Sequence, residues 1–262
     1  IHGLEKGITL ARQTNSKAAL KNVKRDNIKL EAYSDLEKKF NDLQIPVYAE
    51  MIMGLPGETY KSWIDGLGSL LDSNINNQIF IYQAEVYPNT ELNEDSYRKK
   101  YQIKTKKIEL LETHCSPKEQ KWLKEYQEIV VETLSMTKED WKKRNLFSVV
   151  LMVMHSFKAA FYIMNYLKNE MKISGKDFIM FICEKTSKTK HPFIYKNIHQ
   201  KIDDWTNAML SGKGKAIYNS KYSDVYLDIE TFIFLEIILL TVLISWPYFS
   251  QHFWPALLVS FI

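Results

Sequence analysis

Residues Val47 to Thr59 read VYAEMIMGLPGET, and the fold turns on them. Val47 to Leu55 is a nearly continuous apolar run broken only by Glu50, the pattern of a strand covered on both faces in a parallel sheet. Pro56-Gly57-Glu58-Thr59 then reads as a turn, with Glu58 or Thr59 available to cap a helix over Tyr60 to Leu71 (YKSWIDGLGSLL). In parallel sheets and barrels, ligands bind at the C-terminal strand ends, where strand gives way to loop. Gly54 and Gly57 allow the backbone to turn sharply and come close to a ligand there. Glu50 is a lone acid in an apolar strand; burial without a partner costs on the order of several kcal/mol, so it should face a polar cavity, a cation or hydroxyl groups. A bend that merely joins strand to helix explains the two glycines equally well, and both readings stand at this point.

Working outward, the same rhythm extends in both directions. Gly7 to Gln13 (GITLARQ) alternates apolar and polar side chains, as a strand does. Ser16 to Val23 has helical spacing with Ser16 placed as its N-cap. Leu30, Tyr33, Leu36, Phe40 and Leu43 form one apolar face of a further helix. Downstream, Ile79 to Val86 (IFIYQAEV) predicts a strand closed by Tyr87-Pro88-Asn89-Thr90. Strands and helices alternating over residues 1–92 predict parallel βαβ units. Residues 93–230 change character: helical periodicity is predicted for Lys118 to Leu134, Lys138 to Leu167, Asp177 to Glu184 and Ile194 to Leu210, with Thr137 and Asp140 spaced as a cap. Residues 231–262 form an apolar tail whose only charged side chain is Glu236. Its uninterrupted part, Ile237 to Trp246, is shorter than the roughly 20 residues a spanning helix needs. A packed or partner-covered helix is therefore favoured over a membrane segment.

Composition excludes little else. With 45% apolar and 25% charged residues in 262, the chain can bury a sizeable core. A net charge of +4 with scattered lysines gives no case for nucleic acid. Cys115 and Cys183 stand far apart, without metal-ligand spacing, and read as reduced thiols of a cytoplasmic protein. The chain starts Ile-His-Gly-Leu, without an initiator Met or signal-peptide core, and reads as an internal start.

The segment from Glu50 to Thr59 resembles the fifth-strand motif of radical S-adenosylmethionine (SAM) enzymes, which backs the adenine of SAM. GITLARQTN, from Gly7 to Asn15, is similar to their fourth strand. YQAEVYPNTEL, from Tyr82 to Leu92, resembles the sixth strand of the cobalamin-binding subgroup, and IVVETLSMTKEDWKK, from Ile129 to Lys143, resembles a later segment of that subgroup. The likeness covers about residues 1–185, with its motifs in the right order. It implies an α/β fold: the last three βα units of a partial (β/α)6 radical SAM barrel, followed by a mostly α-helical C-terminal domain. The intact enzyme would bind a 4Fe–4S cluster, SAM and cobalamin, cleave SAM reductively, and methylate or rearrange a small-molecule substrate.

By position in related coproporphyrinogen dehydrogenases, the resemblance implies SAM-binding roles for Gln13, Arg25 and Glu50, and it adds Ile52, Gly54, Pro56, Gly57 and Tyr82 as cofactor-binding positions. The chemistry suits: a guanidinium clamps a carboxylate through two hydrogen bonds, a carboxylate accepts from both ribose hydroxyls, and an amide serves beside it. Thr14, where the family often has Ser, and Glu50, where the dehydrogenases have Asp, are mild departures. Without the resemblance, Arg25 in Lys24-Arg25-Asp26 reads as a solvated surface charge.

A 4Fe–4S cluster needs three Cys thiolates. Neither cysteine here can substitute for the family's CxxxCxxC loop, so the cluster ligands, the first strands and any cobalamin domain are expected upstream of Ile1. The fragment alone is then expected to be inactive, and its uncovered half barrel to be poorly soluble. A radical SAM enzyme without cobalamin and a non-catalytic helical or membrane-associated module are the alternatives. His155 and the stripe Met152, Met154, Met164 read as core, Lys104 to Lys107 and Lys185 to Lys190 as solvated loops, and Gly212 to Lys215 as a flexible turn.

Overall fold

A computed structural model describes residues 7–72, 77–117, 123–184, 192, 195–220 and 224–239. Three strands, β1 (Ile8–Gln13), β2 (Val47–Met53) and β3 (Gln78–Gln83), form a parallel sheet in the order β1-β2-β3. Two helices, α1 (Lys17–Asn22) and α2 (Leu30–Asp42), connect the first pair, and α3 (Tyr60–Asp72) connects the second. Local chemistry sets their starts. The Ser16 hydroxyl accepts from the Ala19 N–H at the head of α1, and the Thr59 hydroxyl accepts from the Ser62 N–H at the head of α3. On the α2 face, Tyr33 is buried as expected, yet Leu43 is 66% exposed and Glu37 is buried instead, accepting from the Asn77 amide.

In β2 the side chains alternate: Val47, Ala49, Met51 and Met53 are buried, whereas Tyr48, Glu50 and Ile52 are half-buried. Ala49, Met51 and Met53 belong to one core cluster with Trp63, Leu67 and Leu70 of α3. Coverage of both faces was expected; among the described residues only one face has a helical layer against it, so the strand is apolar on both faces but packed on one. Each fully buried side chain of this size contributes about 1.5–3 kcal/mol.

Past β3 the sheet is extended. After α4 (Asp95–Tyr101), β4 (Lys104–Glu109) pairs antiparallel with β5 (Tyr126–Glu132), and β5 reaches back to the β3 exit through the Val130 N–H to Ala84 O and Val86 N–H to Glu128 O hydrogen bonds. This corrects two expectations. The region Lys118 to Leu134 is not one helix, and Lys104 to Lys107 is strand rather than loop. Ile129, Val130 and Val131 are consecutive, β-branched and buried, which suits a strand, while Leu123 and Leu134 lie exposed.

Helix α5 (Lys138–Leu151) starts with a capping box between Thr137 and Asp140, passes into a π turn (Met152–Ser156), and stops. α6 (Phe161–Met171) leaves at 90° to it, so the single helix expected to Leu167 is broken. Ser156 explains the place of the break: its hydroxyl accepts from the Ile79 N–H and donates to the Ile79 carbonyl, both at 2.9 Å, tying the π turn to β3. His155 and Met152 are buried there, with His155 edge-on to Phe161.

Two helices follow, α7 (Gly175–Glu184) and α8 (Gln200–Leu210), the latter preceded by a π turn (Tyr195–His199). A small hairpin, β6 (Ile217–Asn219) with β7 (Val225–Leu227), was not anticipated. Gly212 to Lys215 is docked rather than loose: the Gly212 carbonyl accepts from the Glu109 N–H, and a Cβ on Gly214 would lie 2.5 Å from Leu111. Residues 229–239 are helical, with Ile229 and Ile233 buried. Residues 240–262 and 185–190 lie outside the described residues, and so do the expectations that fall on them. Among the described residues no single helix is long and apolar enough to cross a membrane.

Candidate functional site at the open sheet face

The half-covered face carries Glu50, Ile52 and Tyr82 of the predicted residues. Register places Ala11, Glu50 and Phe80 side by side, and Ile52 beside Tyr82. Tyr48 packs edge-on against Phe80, with centroids 5.6 Å apart, and Tyr82 is 47% exposed. Glu50 is half-buried and has no hydrogen-bond or ion-pair partner among the described residues. Burial, followed by the charge of Glu50, raises the Tyr82 phenol above its ordinary range.

Arg25 reaches this level by a backbone device. Lys24 adopts φ 54°, and the Arg25 N–H bonds back to the Leu20 carbonyl at 2.9 Å, so α1 ends in a left-handed turn. The chain then doubles back over the end of β1. One Arg25 Nη donates to the Ala11 carbonyl at 2.8 Å, and Nε donates to Asn27 Oδ1 at 3.3 Å. The Asn27 amide in turn donates to the carbonyls of Arg12 and Thr14. Ala11 is the register neighbour of Glu50, so the guanidinium is held on the strand position next to the carboxylate without pairing to it. Gln13 ends β1 at φ 61°, just past a register shift.

The glycines act differently from Glu50. Gly54, Leu55 and Pro56 are buried, and Gly54 holds φ 106°. At Gly57 (φ 91°) an added Cβ would meet the Asn22 amide at 2.4 Å and the Ala18 backbone at 3.2 Å. What requires glycine at Gly57 is the packing of α1.

Glu58 was anticipated only as a cap, and Arg144 not at all. Glu58 is 1% exposed; one oxygen accepts from the Thr14 hydroxyl at 2.7 Å and the other has no partner. Arg144 is fully buried, donates from Nη2 to the Glu58 carbonyl at 2.8 Å, and leaves Nε and Nη1 unpartnered. Burial pushes the Glu58 carboxyl up to about 7, against the opposing pull of Thr14 and Arg144, and lowers Arg144 to about 10. The signal in sequence was an arginine between Trp141 and Phe147, two residues that are themselves buried.

Beside β3 lies a cavity of about 680 Å³, walled by β3, residues 110–114, α5 and the start of the helix at 229–239. Tyr82 lines it as well as the open face. A chain of amides closes its floor: Trp141 Nε1 donates to Gln83 Oε1 at 3.0 Å, and Gln83 Nε2 donates to Asn145 Oδ1 at 2.6 Å. Cys115 is exposed and Cys183 half-buried, and among the described residues no three His, Cys, Asp or Glu side chains could hold a metal ion. The residues present do not fit a 4Fe–4S cluster.

No family model matches the chain. Two curated proteins are similar to it. The cobalamin-dependent radical SAM methyltransferase TokK of Streptomyces tokunonensis is 30% identical over 173 residues. A 2-(S-pantetheinyl)-carbapenam-3-carboxylate methyltransferase of Streptantibioticus cattleyicolor is 29% identical over 173 residues. Each match covers 66% of this chain and 25% of the relative, so the chain spans about a quarter of the length of the proteins it matches. By sequence, this chain is similar over 66% of its length to two methyltransferases, one of them named as cobalamin-dependent and radical SAM.

Proposed function

We propose that the chain is one part of a cobalamin-dependent radical SAM methyltransferase, and that its open sheet face receives the nucleoside and methionyl groups of SAM. The three parallel strands would be barrel strands four to six of the radical SAM fold, with residues 93–230 as the following domain and 231–262 as its tail. The observation that carries the reading is a carboxylate, Glu50, unpartnered among the described residues, whose register neighbour Ala11 holds the Arg25 guanidinium through its carbonyl. Glu50 would accept from the ribose hydroxyls, Arg25 would meet the methionyl carboxylate, and Gln13 would stand beside them. Ile52 and Tyr82 would flank the adenine, while Gly54, Pro56 and Gly57 would shape the loop. The iron–sulfur cluster would be held by residues outside those described, and bound SAM and cobalamin would supply the methyl-transfer chemistry.

SAM affinity in the whole protein to which this chain belongs tests the reading, measured by equilibrium dialysis. Glu50→Ala and Arg25→Ala should each weaken binding at least about tenfold, a loss of about 1.4 kcal/mol. Unchanged affinity in both variants sinks it.

A further inference from the structure

We propose that the cavity beside β3 binds a cationic organic group, an amine or a guanidinium, carried by the substrate. The word substrate rests on the function proposed above; the binding of a cation does not. Position is the first argument. Tyr82 is a wall shared by the cavity and by the face that presents Glu50, so an occupant of the cavity lies beside the site assigned to SAM.

Charge is the second. Asp228, Glu230 and Glu112 line the cavity against Lys215 and His114. Lys215 is already matched: its Nζ lies 2.9 Å from Glu85 Oε1. Neither Asp228 nor Glu230 has an ion-pair partner among the described residues. Burial raises both carboxyls, and Asp228 raises Glu230 further, to about 7; Lys215 pulls on both acids and His114 on Asp228, but neither cation forms an ion pair with them among the described residues. Both residues stand at the head of the helix at 229–239, and a helix N-terminus does favour carboxylates. That effect is small for a surface acid and does not offset the burial of two acids together.

The walls are the third argument. Phe80, Tyr82, Phe157 and Trp205 line the same space, and aromatic faces attract ammonium and guanidinium groups, the more so where water is excluded. The Gln83 and Asn145 amides are bonded to each other and to Trp141, so a cation in the cavity would meet the acids rather than these amides.

Phenethylamine, with 3-phenylpropionate and 2-phenylethanol as anionic and neutral controls, tests this by ligand-observed NMR titration on the full chain. The amine should bind at least tenfold more tightly than the anion, and the Asp228→Asn/Glu230→Gln double variant should lose at least tenfold in amine affinity while narrowing the preference. Asp228→Asn alone, a change at a half-buried side chain, should shift affinity in the same direction if the double variant fails to fold. No amine binding, equal binding of amine and anion, or a preference unchanged in both variants overturns the proposal. Amine binding without SAM binding leaves the cavity site standing and removes the reading of the open face; SAM binding without amine binding does the reverse.

Discussion

Replacing Glu58 with Gln should remove a large part of the pH dependence of this protein's stability. Glu58 sits at 1% exposure with one oxygen on the Thr14 hydroxyl and the other unpartnered. Its carboxyl moves from 4.5 to about 7 on folding, with burial as the largest cause. Below pH 4.5 both folded and unfolded chains hold the proton, and the full stability is present. As pH rises, the unfolded chain ionises first, and folding must then retain a proton or bury a charge. Stability falls by about 1.4 kcal/mol per pH unit until the folded carboxyl also ionises near 7, a total of about 3 kcal/mol. Gln keeps an acceptor for Thr14 and cannot ionise, so its curve should lack this fall. Glu37, Asp228 and Glu230 are also raised and add slopes of the same sign, so the informative quantity is the difference between the two proteins. Urea unfolding at pH 5, 6, 7 and 8 measures it. Parallel curves for wild type and Glu58→Gln would refute the reasoning.

Other substitutions probe the frame around the site. Gly57→Ala should destabilise by more than about 1–3 kcal/mol in urea unfolding, because its φ of 91° disfavours a side chain and the Asn22 amide occupies the space. Ser156→Ala removes both bonds to Ile79 and leaves buried backbone groups unpaired; a loss of about 1–3 kcal/mol is expected, with the Ile79 amide gaining hydrogen exchange. Thr137→Ala opens the capping box of α5 and should cost about 1 kcal/mol, seen as a lower urea midpoint.

The parallel strands could be read from sequence because their signals were local: the apolar run around Glu50, the cap at Ser16 and the bend after Met53 each carry their structure within a few residues. The β4–β5 hairpin could not. Its pairing joins Lys104 to Glu132, and the intervening Lys/Glu-rich sequence mimics a helix until the exposure of Leu123 and Leu134 is known. The break after Leu151 was hidden for a similar reason, since it depends on a serine bonding to a strand 77 residues away. At the site, Glu50 stood out because an acid in an apolar strand is costly. Glu58 and Arg144 did not, because a charged residue in a turn or a helix is ordinary until its burial is seen.

The left-handed end of α1 has a consequence for tolerance to change. Because the Arg25 N–H bonds back to the Leu20 carbonyl and the guanidinium itself donates to the Ala11 carbonyl, the length of α1 works as a ruler. One residue inserted between Lys17 and Asn22 would rotate everything beyond it by about 100° and advance it by about 1.5 Å, turning Arg25 off the sheet while leaving every side chain chemically intact. Homologous chains that keep this arginine in service should therefore vary more at the exposed positions of α1 than in its residue count.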